Sequence, residues 1–220
     1  MSNELVTQGA SVPAEKPKFP PIIERLSKAY NMKPEMVELA KRVFAPTLNA
    51  DQFELFLFEC ATRNLNPLSG DIKPIVFGSK VSVHVGIDAR RKLAARSNLH
   101  VSTDINFVYA LPDKTTVESK FRPHADAKLI AARAVVRKKL TAESDITGDF
   151  SGYAEVTEFG GADGKSGNYG KMQHTMIAKS SESEALRRAF PDIFANVYDE
   201  EEVKGSGTGK VVDIIQADVV

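Results

Sequence analysis

Between Lys171 and Phe190 the chain contains neither glycine nor proline, and Met172, Met176, Ser183, Leu186 and Phe190 follow one another at steps of four, seven, three and four. That spacing keeps them on one face of a helix. Pro191 ends the element, because the residue before a proline is pushed out of the helical region. Lys171, Lys179, Arg187 and Arg188 place positive charge along the same helix, and an acidic run, Asp199 to Glu202, follows. An amphipathic core helix with a solvated basic face accounts for the pattern.

The chain before it alternates between two periods. Residues 1–20 show little apolar periodicity and hold three prolines, the composition of a disordered tail. Pro21 to Leu26 begins a short helix. Asn31 is placed to cap a second, with Pro34 in its first turn and Met36, Leu39, Ala40 and Val43 as its apolar stripe. Asn49-Ala50-Asp51-Gln52 fits a capping box. It opens a third helix in which Phe53, Phe56, Leu57 and Cys60 form a stripe that Leu55 and Phe58 widen, so burial on most sides is expected. A turn over Arg63 to Leu68 leads to two strand-like arms, Asp71 to Phe77 and Lys80 to Val85, joined by Gly78-Ser79. That is a tight hairpin, and Pro74 marks its first arm as an edge or irregular strand. Gly86-Ile87-Asp88 then turns into a helix, with Asp88 as the expected cap. This helix carries Arg90, Arg91, Lys92 and Arg96, with Leu93 packing inward.

The centre gives mixed signals. His100 to Tyr109 alternates weakly, as a strand does. Ala125 to Val136 looks helical from its alanines, yet it leads through a polar stretch into Phe150 to Phe159, where Tyr153, Val156 and Phe159 favour strand. Residues 160–168 are a glycine-rich loop. After Val203, Gly205, Gly207 and Gly209 precede an apolar stretch, Val211 to Ile215. These features describe a tether able to end in a partner-binding peptide.

Composition narrows the functions available. An apolar content of 42% in 220 residues is that of a folded domain with one sizeable core. Cys60, the single cysteine, permits no internal disulfide and suits a reducing compartment. No apolar run reaches the roughly 18 residues a membrane span needs, and the N-terminus lacks a secretory pattern; a cytoplasmic protein is expected. The formal net charge of zero hides an asymmetry. Between Arg63 and Lys139 there are 15 Lys and Arg against 6 Asp and Glu, whereas the remainder has 14 against 23. A basic middle of this kind fits a phosphate-binding surface, or else charges that meet and cancel within the fold. Two near-matches to the ATP-binding loop fail on spacing: Phe159 and Lys204 stand where the first glycine is required. His84, His100, His124 and His174 show no metal-ligand spacing, so no metal or cofactor is expected.

Two blocks carry more than periodicity. The first is Asn64-Leu65-Asn66-Pro67-Leu68, a strand pair, and Val85-Gly86-Ile87-Asp88 before a basic helix. The second is Met176-Ile177-Ala178-Lys179-Ser180, then Ala185-Leu186-Arg187-Arg188-Ala189-Phe190-Pro191, with Tyr198 ahead of Glu200-Glu201. In this order, over residues 40–203, they resemble the phage RecT/Redβ-type single-strand annealing proteins. The chain departs from that pattern at Ala89, where glycine is usual, at Tyr169, near a position often held by tryptophan, and in the acidic helix core Ser180-Ser181-Glu182-Ser183-Glu184.

The resemblance implies an α+β fold of small antiparallel sheets or hairpins packed with helices. With the composition of the two ends, one core domain is expected, residues 21–203, between a disordered tail, 1–20, and a flexible one, 204–220. It makes the central segments a strand pair with Arg137, Lys138 and Lys139 near its tip. It also implies ATP-independent binding and annealing of single-stranded DNA in a bacterial cytoplasm, as a ring or helical homo-oligomer working with a 5′–3′ exonuclease and a host single-strand binding protein. The candidate phosphate contacts are the long cations Lys73, Lys80, Arg91, Arg137, Lys138 and Lys171; the resemblance adds His174, Lys179 and Arg187. A salt bridge to Glu184 or to the acidic run is the competing role for Arg187. Two other functions compete: a metal-dependent nuclease built on Asp71, Asp88 and Asp104, and a non-enzymatic adaptor whose basic middle packs on its own acidic ends.

Overall fold

Asn49 closes the capping box that its spacing predicts: its side-chain oxygen accepts from the Gln52 N–H at 2.9 Å, and its own N–H donates to Gln52 Oε1 at 3.0 Å. The computed structural model in which this is seen describes residues 21–29, 32–77, 80–159, 167–195, 197–198 and 209–211. The expected cap Asn31, the Gly78-Ser79 turn, the glycine-rich stretch 160–166 and the acidic run Asp199 to Glu202 lie outside the described residues. No described helix is long and apolar enough to cross a membrane.

The chain divides into two units, Met1–Leu39 and Ala40–Val220. In the first, α1 (Pro21–Ala29) is followed by the start of α2 (Pro34–Phe44). Val37 is buried and Met36 is exposed, so the buried stripe of α2 is offset by one residue from the one expected.

The second unit begins with the end of α2 and the capped helix α3 (Ala50–Arg63). Phe53, Phe56, Leu57 and Cys60 are buried as their spacing predicts. Leu55 and Phe58 are not: they remain 46% and 56% exposed, because the helix buries one stripe and these two project from the other side. Burial, with a smaller push from Glu59, raises the Cys60 thiol to about 12, so it is a protonated packing group. Asn64 ends α3 in the left-handed region, φ 50°, which asparagine tolerates. A 3-10 turn, Pro67–Ser69, leads into the first sheet.

In that sheet β1 (Ile72–Phe77) and β2 (Lys80–Val85) pair antiparallel, from Ile72 opposite Val85 to Phe77 opposite Lys80, the register of the expected hairpin. β7 (Val197–Tyr198) joins β2 in parallel, and β8 (Gly209–Val211) joins β1 antiparallel, giving the order β7-β2-β1-β8. Strand β8 lies within the stretch read as a tether. It covers Ile75 to Phe77 only, so Pro74 sits where β1 is an edge. Helix α4 (Ile87–Arg96) is capped by Gly86 and not, as expected, by Asp88, which falls in the first turn and pairs with Arg91.

The second sheet contains β3 (His100–Ala110), β4 (Thr116–Ser119), β5 (Lys128–Lys139) and β6 (Thr147–Glu155), all antiparallel in the order β4-β3-β5-β6. The alanine-rich segment is therefore strand β5. The following strand stops at Glu155, and Val156–Phe159 turns into the short helix α5, so Val156 and Phe159 are not strand residues. Helices α6 (Gly167–Lys171), α7 (Gln173–Ala189) and α8 (Pro191–Phe194) follow.

Helix α7 lies on β5 and β6. Its buried residues are Ile177, Ser180, Ser181, Glu182, Ser183, Ala185, Leu186 and Ala189, whereas Met172 is exposed. The face drawn through Met172 and Met176 is thus only part of a helix buried on most sides. Ile177 joins Tyr109, Leu129, Ala132, Ala154 and Tyr169 in one core cluster, against which Met176 packs. The contact with β6 is unusually close at Gly152, where an added Cβ would stand 2.2 Å from the Ser181 carbonyl oxygen and 2.3 Å from the Ala185 nitrogen. Both are backbone atoms, so no rotamer change relieves the clash. Gly152→Ala should lower the unfolding free energy by on the order of 3 kcal/mol or more in urea titration. Gly148→Ala, whose methyl would meet only the side chains of Leu140 and Phe150 at 3.2 and 3.3 Å, should change it by less than about 1 kcal/mol.

Candidate nucleic-acid interface

The four cations of α4 all turn toward the protein. Arg90 is fully buried, with Nε donating to the Val85 carbonyl at 3.0 Å and its guanidinium 5.8 Å from the Phe194 ring centroid. Arg91 grips Glu182 of α7 through two nitrogens, at 2.9 and 2.6 Å, and donates to Asp88 at 2.9 Å. Glu182 is only 3% exposed. Accordingly its carboxylate holds the Arg91 guanidinium above its usual pKa, a charge-assisted fork that ties α4 to α7. Lys92 pairs with Asp71 at 2.8 Å and holds its carboxyl below the usual range; Arg96 donates to the Asn64 carbonyl at 2.8 Å. The acidic core of α7 is therefore structural. Ser180 meets the Tyr169 hydroxyl at 2.7 Å, Ser181 packs at Gly152, and Glu184 takes Arg188 at 2.8 Å and Arg187 at 3.7 Å.

The remaining candidate contacts are scattered. Arg137 and Lys138 are neighbours on β5 and so point to opposite faces of the sheet. On one face Arg137 pairs with both oxygens of Asp149 at 2.8 and 2.9 Å. On the other, Lys138 Nζ donates to the Ala189 carbonyl at 2.7 Å and sits 4.8 Å above the Phe190 ring, satisfying the last turn of α7 with a cation where the helix end is negative. Arg187 reaches the Val197 carbonyl at 3.5 Å as well as Glu184. Lys73 lies half-buried on β1 opposite His84, and Lys80 begins β2, its side chain outside the described set. Lys171 and Lys179 are exposed and make no ion pair among the described residues. The three carboxylates of the nuclease reading sit on separate elements. Each holds its own cation: Asp71 with Lys92, Asp88 with Arg91 and Asp104 with Lys120. No group of three or more His, Cys, Asp or Glu placed to hold a metal occurs among the described residues.

One end of α7 gathers a different set. Strands β4 and β5 flank β3 on opposite sides, so residues 120–127 cross over β3. Ala127 is buried in the cluster that contains Tyr109, which puts the crossing on the face that carries α7. There His174 Nε2 lies 3.0 Å from the Tyr109 hydroxyl, and its ring meets Phe107 edge-on at 5.0 Å. Burial holds the His174 imidazole below its ordinary 6.5, and the nearby Arg122 guanidinium pushes the same way. Burial likewise raises Tyr109, with Arg122 opposing. Arg122 is exposed and forms no ion pair among the described residues, and Phe121 beside it is 80% exposed. Lys171, the last residue of α6, stands three residues before His174. Helix α7 has no side-chain cap and no acid in its first turn, so its positive end is not offset by its own residues. The nearby carboxylates face their own loops: Asp113 accepts from Thr115, and Asp126 lies 3.6 Å from His124.

The sequence reading included Lys171 and His174 but missed Phe121, Arg122, Phe107 and Tyr109. The available signal was Phe121-Arg122-Pro123-His124, an aromatic and a cation in a polar, turn-forming segment between strands.

Two outcomes follow from the charge partners. Arg91→Ala leaves the buried Glu182 carboxylate without its fork and should cost about 2 kcal/mol; Glu182→Leu added to it should recover part of the loss in a double-mutant cycle. His174 has a folded pKa below its unfolded 6.5, so the folded state binds fewer protons. The stability this contributes is present above about pH 6.5 and is lost as the pH falls through the folded value. Between about pH 7 and pH 5, His174→Gln should therefore lose less unfolding free energy than the wild type.

Among curated proteins, none matches the chain. The RecT family, in contrast, matches it over residues 30–214, which span both charge-paired helices, both sheets and the aromatic end of α7. The chain belongs to the RecT family of DNA recombination and strand-annealing proteins.

Proposed function

We propose that this protein binds single-stranded DNA and anneals complementary strands without ATP, using the N-terminal end of α7 and the segment 120–127 that crosses β3 on the same face. Family membership supports the activity, and the grouping of Phe121, Arg122, Lys171 and the uncapped end of α7 supports the location. An exposed aromatic beside unpaired cations and a positive helix end offers a stacking surface for bases and a set of donors for phosphates. Annealing itself runs downhill, since stacking yields about 1.4 kcal/mol per base-pair step. The protein has to lower strand repulsion and leave base edges free. Its core, residues 21–203, carries this activity. Its partners are single-stranded DNA, the annealed duplex intermediate, further copies of itself in a ring or filament, a 5′–3′ exonuclease and the single-strand binding protein of a bacterial host cytoplasm.

The test is a gel assay of two complementary oligonucleotides in the absence of nucleotide cofactors. Wild-type protein should accelerate duplex formation; no acceleration would refute the reading. In salt titrations of single-strand binding, Arg122→Ala should shallow the slope by about one contact's worth. Phe121→Ala should lose about 1–3 kcal/mol of affinity with the slope retained. Arg137→Ala, whose cation is held by Asp149, should change neither.

A further inference from the structure

Tyr109 is 1% exposed, so its hydroxyl has to find a partner inside the protein. Among the described residues it has one, Nε2 of His174 at 3.0 Å. Two arrangements satisfy that distance. If Nε2 carried the proton and donated to the phenol oxygen, the Tyr109 O–H would have no acceptor, because the other group that bears on it, Arg122, is a cation that only donates. If the phenol donates, both atoms are satisfied. The second arrangement is favoured, since a buried hydroxyl without an acceptor is desolvated without compensation. A neutral imidazole that accepts at Nε2 carries its proton at Nδ1. Nδ1 makes no hydrogen bond among the described residues and is not one of their buried unsatisfied atoms, so it opens to solvent.

The ring is neutral near pH 7. Tyr109 of β3 and Arg122 of the crossing segment are the titratable and charged groups set against it, and no carboxylate acts on it. Burial and the Arg122 guanidinium hold its pKa below 6.5. Phe107, the other ring against it, carries no charge.

We propose that Tyr109 is a positioning residue for DNA binding, fixing the His174 tautomer so that a neutral Nδ1–H donor faces the bound strand. This rests on the strand lying at this end of α7, as proposed above. The acceptor is a phosphate oxygen, the group that Arg122 and Lys171 would draw to the same place. An uncharged N–H holds phosphate without releasing a counterion, so it adds affinity and no salt dependence. Once the pH has fallen through the folded pKa, the ring is protonated on both nitrogens. Nδ1–H is then present with or without Tyr109, and the phenol hydroxyl stops mattering.

The test uses the full chain. Nitrogen NMR spectra of the wild-type His174 ring above its pKa should show Nδ1 protonated and Nε2 bare. A protonated Nε2 would overturn the proposal without any variant. Tyr109→Phe keeps the ring in the core and removes only the hydroxyl. At about pH 7.5 it should bind a fluorescent oligothymidylate about three- to ten-fold more weakly, the worth of one neutral hydrogen bond, with the salt slope unchanged. Below the pKa that the spectra report, the two proteins should bind within about two-fold of each other. A structural role for the hydroxyl would leave the deficit at both pH values, and that result overturns the proposal. So does unchanged binding by Tyr109→Phe where Arg122→Ala weakens it, which keeps the site and removes Tyr109 from it. If neither variant changes binding, the strand lies elsewhere and this inference falls with the location proposed above.

Discussion

At Gly152 the backbones of α7 and β6 touch, and much of the second unit is arranged to let them. A helix normally stands off a sheet by the thickness of its side chains. Here the Ser181 carbonyl and the Ala185 nitrogen occupy the space a Cβ would need. Small residues surround the contact on both sides: Ala132, Ala134 and Ala154 on the sheet, and Ser181, Ala185 and Ala189 on the helix, all buried. A close interface of this kind multiplies dispersion contacts per residue and tolerates little added volume. It also fixes the height of α7 above the sheet, which sets the distances from His174 to Tyr109 at one end and from Lys138 to the Ala189 carbonyl at the other.

The same interface explains why some of the fold was hard to read. Strand β5 is written in alanines because a bulkier strand would hold α7 away, yet alanine is the best helix former and gives no strand signal. Only the resemblance to a family favoured a strand there. Where a local rule governs, the residues were sufficient: the capping box of α3, its four-residue stripe, and the hairpin register of β1 and β2 follow from spacing alone. Where burial depends on partners distant in sequence, spacing misled. Leu55 and Phe58 are as apolar as Phe53 and Phe56 but face outward, and Ser181 and Glu182 are as polar as any surface residue but are buried. The cap at Gly86 was missed for a related reason: Asp88 is a good capping residue whose carboxylate is engaged by Arg91.

Charge shows the same division. Counting cations located a basic middle, but the count could not say which of them face solvent without a carboxylate. Arg91, Arg137 and Lys138 were read as phosphate contacts from their number and position. Each also has a protein partner from another element: Glu182 of α7, Asp149 of β6 and the end of α7. The acidic helix core, a departure from the family pattern, is what Arg91 requires. The basic middle and the acidic flanks thus cancel in part within the fold, as the adaptor reading anticipated, without that reading being needed for the function.

Cancellation of this kind bears on how a chain of zero net charge acts on DNA. Binding to single strands gains about 0.7 in salt slope for each phosphate neutralised, so affinity scales with the cations left unengaged and not with the total. A surface with every cation free would hold a strand too tightly to release it for pairing. Ion pairs engage part of the positive charge, and the cations that make none among the described residues include Arg122 and Lys171, near the uncapped end of α7 and the exposed Phe121. On the proposed reading, such a surface would hold a strand by several weak contacts of different kinds, each of which can be broken separately. That property would suit the proposed annealing, in which a bound strand has to test partners and then leave the protein as duplex.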